Sequence, residues 1–137
     1  MHNLKNTLFL ALSMTAASVL AAPSYVQCKA KPGVDIDLGA IGIYKIDQNV
    51  VQHWNPGKGW RENECISVLA FERRECSISP DEYVWRTITN LGRAQGVQEQ
   101  IINRRTGQMT ASYSILGKTS YLQCEPVPEP VLGAPRM

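Results

Sequence analysis

Histidine is nearly missing from this chain. His2 stands among the first residues and His53 is the sole imidazole of the remainder, so a histidine-rich metal centre or a Ser-His-Asp triad has little to draw on. There is no Cys-x-x-Cys pair and no Gly-x-Ser-x-Gly. Structural zinc and a serine nucleophile elbow therefore lack their signatures. Blocks of like charge are absent too, and the formal net charge is only +2 over 137 residues. That argues against a nucleic-acid partner bound by phosphate neutralisation. No internal repeat is visible.

What is present begins with an address. MHNLKN carries Lys5 and no acid, and Thr7 to Leu20 is apolar apart from small polar residues. The run is shorter than the ~20 apolar residues of a comfortable span and reads as a secretory signal. Cleavage after Ala21 leaves a chain starting Ala22-Pro23-Ser24; an uncleaved anchor is the alternative. No cysteine follows the run directly, which disfavours a lipoprotein. The expected organisation is a signal at 1–21, one domain at 22–125 and a Pro-rich flexible tail at 126–137. Without the signal the chain is not an integral membrane protein, and its expected location is periplasmic or secreted.

All four cysteines, Cys28, Cys65, Cys76 and Cys124, follow the signal. In an oxidising compartment an even count reads as two disulfides, for which three pairings exist. Cys28 with Cys124 and Cys65 with Cys76 is the favoured set. The first closes nearly the whole domain and contributes about 4 to 5 kcal/mol on the chain-entropy estimate, the second about 3.

The rest of the pattern is extended. Ser24 to Ala30 alternates as a first strand, and Val34 to Ile46 alternates around Gly39 and Gly42 as one bent strand or two short ones. Val50 to Trp54 follows, then a loop, Trp54 to Trp60, built on Asn-Pro and Pro-Gly turn dipeptides. Asn63 to Cys76 is open between a short helix near 63–72 capped by Asn63 and a strand carrying Ile66, Val68 and Ala70. Its β-branched and aromatic content favours the strand, yet a local Cys65–Cys76 bridge suits the helix better. Ser79-Pro80-Asp81-Glu82 is a turn with Pro at its second position, leading to a strand over Tyr83 to Ile88. Val97 to Cys124 is a hairpin and a third strand: Gly107 takes the left-handed corner after Arg104-Arg105-Thr106. Met109, Ala111, Tyr113 and Ile115 then share one face. Seven to nine short strands with regular turn signals describe a mainly β fold, a single disulfide-bonded antiparallel β-sandwich or barrel.

Candidate contact residues fall in two places. His53, Trp54, Lys58 and Trp60 bracket the Asn-Pro-Gly loop, where paired tryptophans serve as core caps or as an exposed surface. Arg104 and Arg105 occupy a turn tip from which guanidinium groups reach carboxylates or phosphates. Glu62, Glu64, Glu72 and Glu75 read either as a solvated face or as a glycosidase-like carboxylate pair.

The ending, Ile-Asn-Arg-x-Thr-Gly, an alternating strand, then Tyr-Leu-Gln-Cys, resembles small exported proteins of Gram-negative bacteria. Size, signal and disulfide-closed β-architecture are similar in type to the periplasmic lysozyme inhibitors, without their cleft-entering loop motif. That resemblance implies that a loop such as His53 to Trp60 inserts into a partner. The expected function is an exported, non-catalytic binding module for a protein or envelope component, needing no cofactor or metal and possessing no catalytic set. A small cell-wall hydrolase and a structural envelope protein are the alternatives.

Overall fold

The structure, a computed structural model, describes residues 23–32 and 40–133. The signal expected at 1–21, the strand expected from Val34 up to residue 39 and the last four tail positions lie outside those residues. Nine strands form one antiparallel sheet: β1 Ser24–Ala30, β2 Gly42–Asp47, β3 Val50–Asn55, β4 Gly59–Trp60, β5 Glu72–Ile78, β6 Glu82–Leu91, β7 Ala94–Asn103, β8 Gln108–Tyr113 and β9 Lys118–Pro126. Their spatial order is β4-β3-β2-β1-β9-β8-β7-β6-β5. Two meanders, β1–β4 and β5–β9, are thus zipped together along β1 and β9.

Alternation builds the interior. Val26 and Cys28, Tyr44 and Ile46, Val51, Tyr83 and Trp85, Ile102, Met109 and Ala111, and Leu122 and Cys124 are buried and form one cluster. Each contributes to the same face of its strand, the period-2 signature of a sheet with one dry side. The sheet curls around them into a half-barrel. β2 and β6 are separated in the strand order, yet the rings of Tyr44 and Trp85 lie 5.3 Å apart, and the Tyr83 hydroxyl of β6 donates to Ser24 Oγ of β1 at 3.2 Å.

Both favoured disulfides form. Cys28 and Cys124 face each other in the β1–β9 register and are bonded, and Cys65 is bonded to Cys76 of β5. The hairpin corner is where the turn chemistry places it. Gly107 has φ 74°, and a Cβ there would lie 2.4 Å from the Cys124 carbonyl oxygen. Both conformation and space therefore demand glycine.

Residues 61–71 correct the sequence reading: they are neither helix nor strand. After β4 the chain must cross from one sheet edge to the other, and Asn63 fastens it on the way. Asn63 Oδ1 accepts from Val51 N at 3.1 Å and Cys65 N at 3.0 Å, while its Nδ2 donates to Asn49 O at 3.0 Å. Its side chain clamps β3 instead of capping a helix. Ile66, Val68 and Ala70 supplied the strand-like pattern, but all three are exposed, as are Leu69 and Phe71. Ile115 also departs from expectation. β8 ends at Tyr113, which puts Ile115 in the following turn.

Candidate functional site

The Asn-Pro-Gly loop is a tight hairpin rather than an open loop. Asn55 O accepts from Lys58 N at 3.0 Å, and Asn55 Oδ1 accepts from Gly57 N at 3.0 Å. The turn closes on Gly59, and Trp54 becomes the register partner of Trp60. Their rings meet edge-to-face at 5.0 Å, and Tyr25 lies 5.8 Å from Trp60. Strand parity puts Trp54 on the face opposite Val51, so this is a convex aromatic cluster outside the main core. Lys45 Nζ stands 6.0 Å above the Trp60 ring, at the reach of a cation–π contact.

The tail crosses this cluster. Val127 N donates to Tyr25 O at 3.0 Å, and a Cβ on Gly59 would touch Leu132 at 3.6 Å. Tyr25's phenol is pushed above its ordinary value by burial first, then by the charge and hydrogen bond of Glu129.

Beside the hairpin opens a cleft of about 670 Å³ whose lining includes Lys58, Trp60, Arg61, Glu62, Glu64 and Arg74. Three cations and two carboxylates converge there. Arg74 Nη1 lies 3.6 Å from Glu64 Oε2, and its Nε lies 3.0 Å from Glu72 Oε1. The Nε is buried and makes no aligned hydrogen bond to any acceptor, so charge rather than directed bonding holds it to Glu72. Burial lifts the Glu64 carboxyl above its ordinary value, and the opposing pull of Arg74 and Arg61 does not cancel it.

His53 is a buttress of this region. Its ring stacks on Tyr44 at 4.7 Å and 9°, and Nε2 lies 3.0 Å from Ile41 O. A carbonyl can only accept, so the contact requires the Nε2–H tautomer. Burial lowers the histidine's pKa, the Ile41 carbonyl opposes this, and Arg61 adds to the lowering. The ring fits closely because residue 42 is glycine: a Cβ at Gly42 would lie 2.3 Å from Nε2.

Arg104 and Arg105 sit at the opposite end of the sheet. Arg104 stacks its guanidinium 4.5 Å over Tyr83 and donates to Ser79 O at 2.6 Å. Arg105 pairs with Asp81 at 2.9 Å. The two arginines tie the β7–β8 tip to the β5–β6 turn.

The structure therefore brings Trp54, Lys58 and Trp60 together on the hairpin, places His53 on the other face of β3 against Tyr44, and leaves the arginine pair apart. It also separates the acids. Glu64 and Glu72 meet Arg74, whereas Glu75 binds Arg73 and Arg86. Arg61 and Arg74 were absent from the sequence-derived set. For Arg74 the signal lay in β5, where it shares a strand face with Cys76; Arg61, just after β4, carried none. Among the described residues no group of three or more His, Cys, Asp or Glu side chains is placed to hold a metal ion.

Fold and cleft together define a small, disulfide-tied, all-β protein with a charged and aromatic recess at one sheet edge. Comparison with protein-family models, curated proteins and solved structures found no match to this chain.

Proposed function

We propose that the chain is an exported, non-catalytic binding module that recognises a protein or envelope partner through the β3–β4 hairpin and its cleft. One observation carries this reading: Lys58, Arg61, Arg74 and Trp60 converge on a recess framed by a twice cross-linked sheet. Arginine and tryptophan are favoured binding anchors, and a rigid frame loses little freedom on association. His53, Arg104 and Arg105 are engaged by the chain itself. The disulfides suit an oxidising compartment, the periplasm or the exterior. In the inhibitor form of the proposal, the hairpin enters a cleft on its partner.

The test is capture from envelope extract with the wild type and with Lys58→Glu/Arg61→Glu, both exposed side chains. A partner retained by the wild type and lost by the variant is the expected result. Identical captured sets would remove the cleft from consideration.

A second reading, a small cell-wall hydrolase, draws on the lifted carboxyl of Glu64. A raised carboxyl in a cleft suits a general acid. Purified protein incubated with peptidoglycan should then release reducing ends and Glu64→Gln should not; no release by the wild type discards this reading.

A further inference from the structure

Turn tips in water are built mostly from Gly, Pro, Asn, Asp and Ser. Two adjacent tips of this sheet are apolar instead. β6 and β7 are joined through Leu91-Gly92-Arg93, and β8 and β9 through Ile115-Leu116-Gly117-Lys118. The hairpins are neighbours because the strand order runs β9-β8-β7-β6. Each tip reads apolar side chain, glycine, cation. Gly92 and Gly117 hold φ of 71° and 60°, and nothing lies within 4 Å of a Cβ added at either. The corner is sharp, and the residue before it stays at the surface. Leu91 is 53% exposed, Ile115 63% and Leu116 65%. Phe71, 51% exposed, stands beside the first tip because its carbonyl accepts the Asn90 N–H at 2.9 Å. Scattered exposed apolar residues are ordinary, but a group on adjoining tips marks an interaction surface.

Charge divides the two ends of the sheet in a matching sense. At the apolar end the described turns over 30–32, 55–59, 91–94 and 113–118 contain Lys31, Lys58, Arg93 and Lys118 and no carboxylate; Glu72, next to Phe71, is turned to Arg74 at 3.0 Å and its side chain is buried. Residues 33–39, which include Asp35 and Asp37, lie outside the described residues. At the other end the turns over 47–50, 78–82 and 103–108 hold Asp47, Asp81 and Glu82 against Arg104 and Arg105. Apolar side chains interleaved with cations on one end complement the headgroup boundary of an anionic bilayer, where apolar groups enter and cations meet phosphate.

We propose that this end of the sheet docks peripherally on a bilayer of anionic phospholipid, Leu91, Leu116 and Phe71 entering the headgroup boundary while Arg93 and its neighbouring cations face the phosphates. The two apolar tips are separate from the recess beside Trp60; of the cations at this end only Lys58 also lines that recess, and the tips do not depend on it.

Flotation of the purified protein with phosphatidylglycerol and with phosphatidylcholine vesicles tests the proposal. Binding to phosphatidylglycerol vesicles that weakens with salt is expected, with little binding to phosphatidylcholine. Leu91→Gln/Leu116→Gln and Arg93→Gln each alter exposed side chains; the double variant should bind about tenfold more weakly or worse, with an unchanged melting curve. No flotation with phosphatidylglycerol, equal flotation with both lipids, or flotation unaffected by the double variant would overturn it. So would self-association abolished by the same substitutions without vesicle binding, which assigns the tips to a second copy of the chain.

Discussion

The two meanders solve the same problem with different chemistry. In β1–β4 the convex face is aromatic, with Tyr25, Trp54 and Trp60 in contact under Lys45. In β5–β9 it carries an ion ladder: Arg86 donates to Glu99 at 2.7 Å and lies 3.4 Å from Glu75. The strands of the second meander run to 10 residues in β6 and β7 and pair over their whole length. Those of the first are no longer than 7, and one of its edges is made by a two-residue strand. Long hairpins secure the second half locally. The first half relies on borrowed constraints, namely the β1–β9 bond, the Asn63 clamp and the histidine buttress. The recess opens on the half held by those constraints.

Cutting the covalent ties separates the halves most sharply. Cys28→Ala/Cys124→Ala opens a loop spanning 96 residues of sequence separation and should lower the unfolding free energy by about 4 to 5 kcal/mol. Cys65→Ala/Cys76→Ala opens one of 11 and should cost about 3. Urea titration of both variants checks the order, and equal losses would mean that the meanders do not depend on their zipper.

The next contrast is in pH. His53 has a folded pKa below its ordinary 6.5, so below that pH the unfolded chain binds a proton that the folded chain refuses. Stability should fall as pH drops from about 6.5 towards the lowered value. Glu64 acts in the opposite direction. Its folded pKa lies above the ordinary 4.5, so stability should decline as pH rises from there through the raised value, and the cost persists at neutral pH. Melting curves across this range should flatten on the acidic side for His53→Gln. Glu64→Gln should gain stability near neutrality, and a wild-type profile unchanged by either substitution would refute these assignments.

The smallest effect belongs to the ladder. Arg86 is partly exposed to solvent, its side chain at 37%, and Arg86→Ala should cost no more than about 1 kcal/mol, less in high salt. A larger loss would place more of the second half's stability on its convex face than its long hairpins suggest.

Legibility in the sequence followed the same division. The β7–β8 hairpin could be read from Gly107 because its turn chemistry is local, and β8 from Met109 and Ala111 because both sides of its alternation are real. The crossing at 61–71 could not. Ile66, Val68 and Ala70 alternate as a strand would, but all three face solvent, and no periodicity distinguishes an exposed apolar face from a buried one. The Trp54–Trp60 segment displayed its turn dipeptides, yet the short strand after them depends on the pairing of Trp54 with Trp60. The recess was the least visible part. Arg74 meets Glu64 across the crossing between β4 and β5, whose course is set by the Asn63 side chain bonding Val51 and Asn49, 12 and 14 residues away, contacts that local periodicity does not display.

Because the sulfurs of Cys28 and Cys124 join residues already opposite one another at the outer ends of the domain, tension applied to the two ends of the polypeptide passes through that single bond. The strands between carry no force, and the recess keeps its shape under a pull that would unravel an unbridged sheet.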